Sequence, residues 1–126
     1  MTNGMVKTNS GMASMLNSEY LGTTNVPTQI PIGTGTDTPS PSDTALQTEV
    51  YTSTLVSGFP TVDTIALKAT VRSKIGTTEA NGNNITEFGP EDAGSNLKDH
   101  AVIDPISKTS SDIVDFVIIN KLRNKE

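Results

Sequence analysis

Between Val62 and Ile75 the side chains alternate with a period of two. Ile65, Leu67, Ala69, Val71 and Ile75 point one way; Thr64, Ala66, Lys68, Thr70, Arg72 and Lys74 point the other. A helix repeats every 3.6 residues, so this pattern predicts a strand with one wet face. A second segment, Ile113 to Leu122, differs in kind. Val114, Phe116, Ile118 and Leu122 line one face, and Ile113, Val117 and Ile119 line the other. A strand apolar on both faces is expected at the centre of a sandwich or against a partner subunit.

Further strands are expected at 48–57, 83–88 and 96–104. Val26 to Ile32 also alternates, but Pro27 and Pro31 each remove a ladder donor, which predicts an edge strand. The connecting segments are rich in turn formers. Threonine, serine and asparagine number 19, 12 and 10 among 126 residues, a mixture that suits pleated surfaces and polar loops. Short strands at such spacing, with no sustained alternation of strands and helices, predict a mainly β chain with a single antiparallel β-sandwich domain. One short helix precedes it. Ser10 is its expected cap, Gly22 its end, and Met12, Met15, Leu16 and Tyr20 fall on one side at helical spacing. About three turns are marginal alone in water, so the helix must lie against its own sheet or a neighbouring subunit. Residues 1–9 read as an arm without structure of its own, and Thr23-Thr24-Asn25 as the start of a loop. The expected division is 1–25 for arm and helix and 26–126 for the sandwich.

The charge balance narrows the partners. Nine basic and fourteen acidic residues give a net charge of −5. Nucleic-acid and polybasic membrane binding are therefore not expected, because both need a cationic surface. No apolar run approaches the roughly 20 residues of a membrane span. Met1 to Lys7 lacks the profile of a signal peptide, so a soluble chain is expected.

Catalytic chemistry finds little to work with. Cysteine is absent, and the single histidine, His100, shares the polar side of its strand with Lys98 and Asp104. It reads as a solvated surface residue. No serine sits in a nucleophile elbow. Glu79, Glu87, Glu91 and Asp92 read as solvated loop charge, with one exception. Glu87 lies between apolar neighbours Ile85 and Phe88, and is expected to be half-buried and hydrogen-bonded to loop amides as a structural clamp. The Gly33-Thr34-Gly35-Thr36 loop lacks a third glycine, a following long helix and a P-loop ending, so its glycines are read as permitting a tight bend. Asp43-Thr44-Ala45-Leu46 reads as a short helical turn capped by Asp43 and anchored by Leu46. No enzyme activity, cofactor or metal site is expected.

Two groups of segments carry a resemblance. The first is Pro31-Ile32-Gly33-Thr34-Gly35-Thr36, Pro39, Asp43-Thr44-Ala45-Leu46 and Glu49-Val50-Tyr51. The second is Glu79-Ala80-Asn81-Gly82, Ile85-Thr86-Glu87-Phe88-Gly89, Leu97, His100-Ala101 and Ile106-Ser107-Lys108-Thr109. In this order and spacing the chain, over roughly 26–122, resembles the tail-collar fibre family and related small virion proteins of tailed viruses. Pro90-Glu91-Asp92 departs from that pattern, where an apolar pair usually follows the glycine.

The resemblance implies a non-enzymatic structural protein, soluble in the host cytoplasm before assembly and then part of the virion. It would form a homo-oligomer and dock onto other virion proteins at the tail or baseplate, where fibres attach. The alternative is a capsid decoration or head-fibre protein, favoured by the missing fibre extension. A host-glycan-binding module is a third reading, with few aromatic residues to serve it. Self-association is expected through Ile113, Val117 and Ile119. Thr34, Thr36, Asp37 and Asp43 are expected to form the partner-facing loop.

Overall fold

The computed structural model describes residues 5–22 and 25–123. The first four positions of the expected arm and the Thr23-Thr24 start of the expected loop lie outside the described residues, as do 124–126. The chain is mainly β, with two antiparallel sheets packed face to face. One sheet contains β1 (Val6–Lys7), β2 (Gln29–Gly33), β3 (Glu49–Thr54), β6 (Asn84–Phe88) and β7 (Asp99–Ser107), in the order β1-β7-β6-β2-β3. The other contains β4 (Thr61–Asp63), β5 (Lys68–Ile75) and β8 (Val114–Lys121), in the order β4-β5-β8. They are stitched at one corner, where Leu55 bridges Ser73 and the Val56 amide donates to the Arg72 carbonyl at 2.8 Å.

The core lies between the sheets. Ile30, Ile32, Ile85, Phe88 and Ala101 come from the larger sheet, and Val71, Ile75, Phe116 and Ile118 from the smaller. Phe88 and Phe116 meet across the gap with ring centroids 4.8 Å apart. Ile85 and Phe88 are three residues apart, which in a regular strand puts them on opposite faces. The pairing with β7 shifts register between Ile85 and Glu87, where three residues of β7 stand against one of β6; across this irregularity Ile85 and Phe88 both face the core, and the Glu87 side chain lies on the sheet's other face.

Several expectations need correction. The alternating segment at 62–75 is a hairpin: β4 and β5 flank a turn in which Asp63 Oδ1 accepts from the Ile65 and Ala66 amides, both at 3.0 Å. Its tip leaves Ile65 almost fully exposed, and Leu67 adopts a φ of 57°. Alternation continues through a tight turn, so periodicity cannot see the reversal.

β2 is an interior strand, paired on both sides. Pro31 is tolerated because β2 pairs with β6 only at Ile32 and Gly33. Beside Pro31, β6 has already ended, and the Pro31 carbonyl receives the Gly89 amide at 3.4 Å. β8 is an edge strand of the smaller sheet, which removes the expectation of a central sandwich position.

Helix α1 (Asn9–Leu21) is capped by Thr8 rather than Ser10: the Thr8 hydroxyl accepts from the Gly11 amide, and Gly22 ends the helix at a φ of 71°. Val6 and Lys7 of the expected unstructured arm pair with His100 and Asp99 of β7. The helix does not pack through its methionines. Gly11 is buried, and a Cβ there would stand 2.2 Å from the Lys98 carbonyl oxygen. Met12, Met15, Leu16 and Tyr20 remain exposed. A groove of about 610 Å³ separates this side from the smaller sheet, lined by Met15, Leu16, Val62, Ala69, Asn120 and Leu122 among others.

Candidate functional site

The outer face of the larger sheet is covered by the loop between β2 and β3, and a polar cluster is sealed beneath it. The irregularity in the β6–β7 pairing leaves Glu87 on this face, where it is fully buried. Its Oε2 accepts from the amides of Gly35 at 2.9 Å and Thr48 at 2.7 Å, and Oε1 from that of Gln47 at 2.9 Å. Oε1 also receives His100 Nε2 at 2.9 Å, while His100 Nδ1 meets Asp43 Oδ2 at 2.7 Å. Carboxylates only accept, so with Glu87 and Asp43 ionised both ring nitrogens are donors.

Burial pushes the Glu87 pKa up. The amides of Thr48, Gln47 and Gly35 together with His100 outweigh it and hold the carboxyl below its ordinary range. Asp43 behaves the same way: desolvation opposes ionisation, and His100 with the Ser40 amide overcomes it.

The glycines of this loop serve close approach. A Cβ on Gly33 would lie 2.3 Å from the Thr48 carbonyl oxygen, and one on Gly35 2.4 Å from Glu87 Oε2. Thr86 hydroxyl donates to the Gly35 carbonyl at 2.6 Å, closing the loop on the sheet. Asp43 caps no helix. Its Oδ2 accepts from the Ser40 amide at 2.8 Å and its own amide donates to the Ser40 carbonyl at 3.0 Å, forming a turn around Pro41 and Ser42.

The four residues expected on a partner-facing loop therefore divide. Thr36 and Asp37 are exposed, Thr34 is half-buried, and Asp43 turns inward to His100. Gln47, which the sequence reading passed over, organises the exposed part: its Oε1 accepts from the amides of Thr36 and Asp37 at 2.9 and 3.0 Å. His100 is buried, contrary to the surface expectation. Val102, two residues along and on the same face, was the available signal, since it too is buried.

Glu91 and Asp92 are also buried rather than solvated. Glu91 accepts from Gln29 Nε2 at 2.5 Å, and burial raises its pKa. Asp92 receives Lys98 Nζ at 2.8 Å, the Gly94 amide at 2.9 Å and the Asn96 amide at 3.1 Å. Burial works against its charge, yet Lys98 and Asn96 lower the pKa to about 2. Lys98 Nζ also donates to Ser14 Oγ, tying α1 to this loop.

The residues expected to mediate self-association lie elsewhere, on β8 and just before it. Ile113, Val117 and Ile119 are 60%, 51% and 54% exposed, whereas Phe116 and Ile118 on the alternate positions are in the core. Val117 stands opposite Arg72 of β5, and Ile119 opposite Thr70. Beside them Arg72 makes a bidentate pair with Asp115, at 2.9 and 2.6 Å. No described strand pairs with the other edge of β8.

Both carboxylate oxygens of Glu87 are engaged by loop amides or His100. Among the described residues no group of three or more acidic or histidine side chains is arranged to hold a metal ion. Comparison with family models, curated proteins and solved structures finds no match to this chain.

Proposed function

We propose that the chain is a non-enzymatic structural protein of a tailed-virus particle, self-associating through the outer side of β8 and docking onto other virion proteins. The observation that carries this reading is the edge of β8 that no described strand pairs, with Val117 and Ile119 exposed beside it. An edge strand presents unpaired N–H and C=O groups, which monomeric proteins ordinarily blunt or cover. Burying each of the two side chains fully in an interface contributes roughly 1.5–3 kcal/mol. A particle protein present in repeated copies supplies the partner for such a surface.

The assignment to a virion draws on the ordered segments that resemble the tail-collar fibre family, and the tail or baseplate is the favoured place. The Glu87 cluster fits this reading as a device that fixes the 34–48 loop, leaving Thr36 and Asp37 outward for a docking partner. Antibody labelling of intact particles, viewed by electron microscopy, tests the role. Label at the tail tip or collar is the expected result. Label spread over the head replaces fibre attachment with capsid decoration, and particles without label overturn the virion reading.

A further inference from the structure

We propose that two copies of the chain join edge to edge through β8, antiparallel and in one defined register, with Val117 opposite Ile119 and Asp115 opposite Lys121. This rests on the self-association reading above and specifies its geometry.

Backbone direction comes first. The Leu122 amide donates to the Leu67 carbonyl, which continues the β5–β8 ladder by one pair beyond Lys68 and Lys121. In an antiparallel pair the residues that point at the partner alternate. Thus Val114, Phe116, Ile118 and Asn120 direct their N–H and C=O groups to β5, and Asp115, Val117, Ile119 and Lys121 direct theirs to the free edge. The Arg72 carbonyl agrees: Arg72 pairs with Val117 and its carbonyl points away from β8, to the Val56 amide.

The side chains then select the register. Symmetric pairing through a two-fold axis allows only shifts in steps, each centred on a different residue. Centring on Ile118 puts Val117 opposite Ile119 twice and Asp115 opposite Lys121 twice. Centring on Val117 sets Asp115 against Ile119 and Ile113 against Lys121. Centring on Ile119 sets Val117 against Lys121. Among the outward residues from Asp115 to Lys121, only the first of these places apolar against apolar and acid against base, with Ile113, just before the strand, falling opposite Arg123; opposite charges directly across a ladder stabilise it. The result is a continuous sheet with three strands from each copy, which removes the open edge of both.

Because the chain has no cysteine, introduced thiols are the only ones present. V117C and I119C chains are prepared separately, then each alone and the mixture are oxidised mildly. Residues directly opposite in a ladder fall within disulfide reach, and diagonal ones do not. The expected result is covalent dimer chiefly in the mixture. In sedimentation, K121E sets a second carboxylate opposite Asp115 and weakens the dimer about tenfold in Kd, and D115K in the same chain restores it.

Thermal unfolding by circular dichroism accompanies each variant, so that a misfolded chain is not read as a dissociated one. Wild type that stays monomeric at every concentration overturns both this proposal and the self-association reading. Wild type that associates while V117C alone cross-links as well as the mixture overturns the register and leaves that reading standing.

Discussion

The Gly35 amide donates to Glu87 Oε2 at 2.9 Å, and a Cβ on Gly35 would stand 2.4 Å from that same oxygen. The hydrogen bond and the missing side chain are thus one feature. Replacing Gly35 by Ala also brings the new methyl to 2.5 Å from Gln47 Cβ, so neither side yields freely. Overpacking of this kind costs about 1–3 kcal/mol, and loss of the Glu87 bond adds to it. Urea unfolding of G35A is expected to show a loss of about 3 kcal/mol. An unchanged midpoint removes the close-approach account.

Glu87→Gln tests the acceptor count. The carboxylate takes three backbone amides and one histidine nitrogen; a carboxamide has one oxygen, and its NH₂ would face donors. Leaving buried donors unsatisfied predicts destabilisation of about 3 kcal/mol or more. Amide exchange at Gly35, Gln47 and Thr48 is expected to accelerate more than at Ile30 or Ile85 in the core. Uniform acceleration would mean that Glu87 does not specifically fix the loop.

The strand content of the fold was readable because β3, β6, β7 and β8 announce themselves through alternation or apolar runs. The hairpin at 64–67 was hidden because alternation passes through a turn unchanged. β2 was misplaced because a proline's missing donor matters only on the side where a neighbour needs it, and there β6 has ended. Ile85 and Phe88 predict half-burial for Glu87, and its burial is in fact complete. The partnership with His100 and Asp43 was not readable, since three separate segments meet only once the loop folds over the sheet. The helix contact was obscured for the same reason: it uses Thr8, Gly11 and Ser14, small residues that carry no hydrophobic signal.

Gly11→Ala probes that contact. The added carbon would lie 2.2 Å from the Lys98 carbonyl oxygen and 2.9 Å from its carbon, both rigid backbone atoms. Intrinsic propensity favours alanine by about 1 kcal/mol in a helix interior, so an isolated helix would gain. Here the substitution is expected to lift α1 off residues 97–99. Limited proteolysis within 9–21 should become faster while the core unfolding midpoint changes little. Slower cleavage would mean propensity outweighs packing.

Acid should loosen the same region. Asp92 has a folded pKa of about 2 against an ordinary value of 3.8, so its contribution is complete above pH 3.8 and disappears as pH falls through about 2. That shift corresponds to about 2 kcal/mol. Glu87 and Asp43, also depressed, act with the same sign. Glu91 is raised and acts oppositely, its contribution being present at low pH and lost as pH rises through its folded value. Asp63, Glu79, Asp112 and Asp115 are depressed as well, so seven carboxylates against one predict a net loss of stability on acidification. Unfolding curves from pH 6 to pH 2 on wild type and D92N check the sign: D92N should be weaker at pH 6 and show a shallower decline. A parallel decline in both would exclude Asp92 as a source of the acid loss.

Val117→Asp separates folding from association. Val117 is half exposed and stands across from Arg72, so a carboxylate there meets a cation and the monomer should keep its stability within about 0.5 kcal/mol. In an assembly, the same carboxylate must leave water beside apolar neighbours, at a cost that a modest interface cannot offset. Sedimentation equilibrium is therefore expected to show V117D as a folded monomer under conditions where wild type associates. Thr70→Asp, on the same outward face but one strand further from the free edge, should associate almost as wild type does. If T70D dissociates as completely as V117D, the contact covers the face of the sheet rather than the edge of β8. If V117D associates like wild type, the outer side of β8 is not the contact at all.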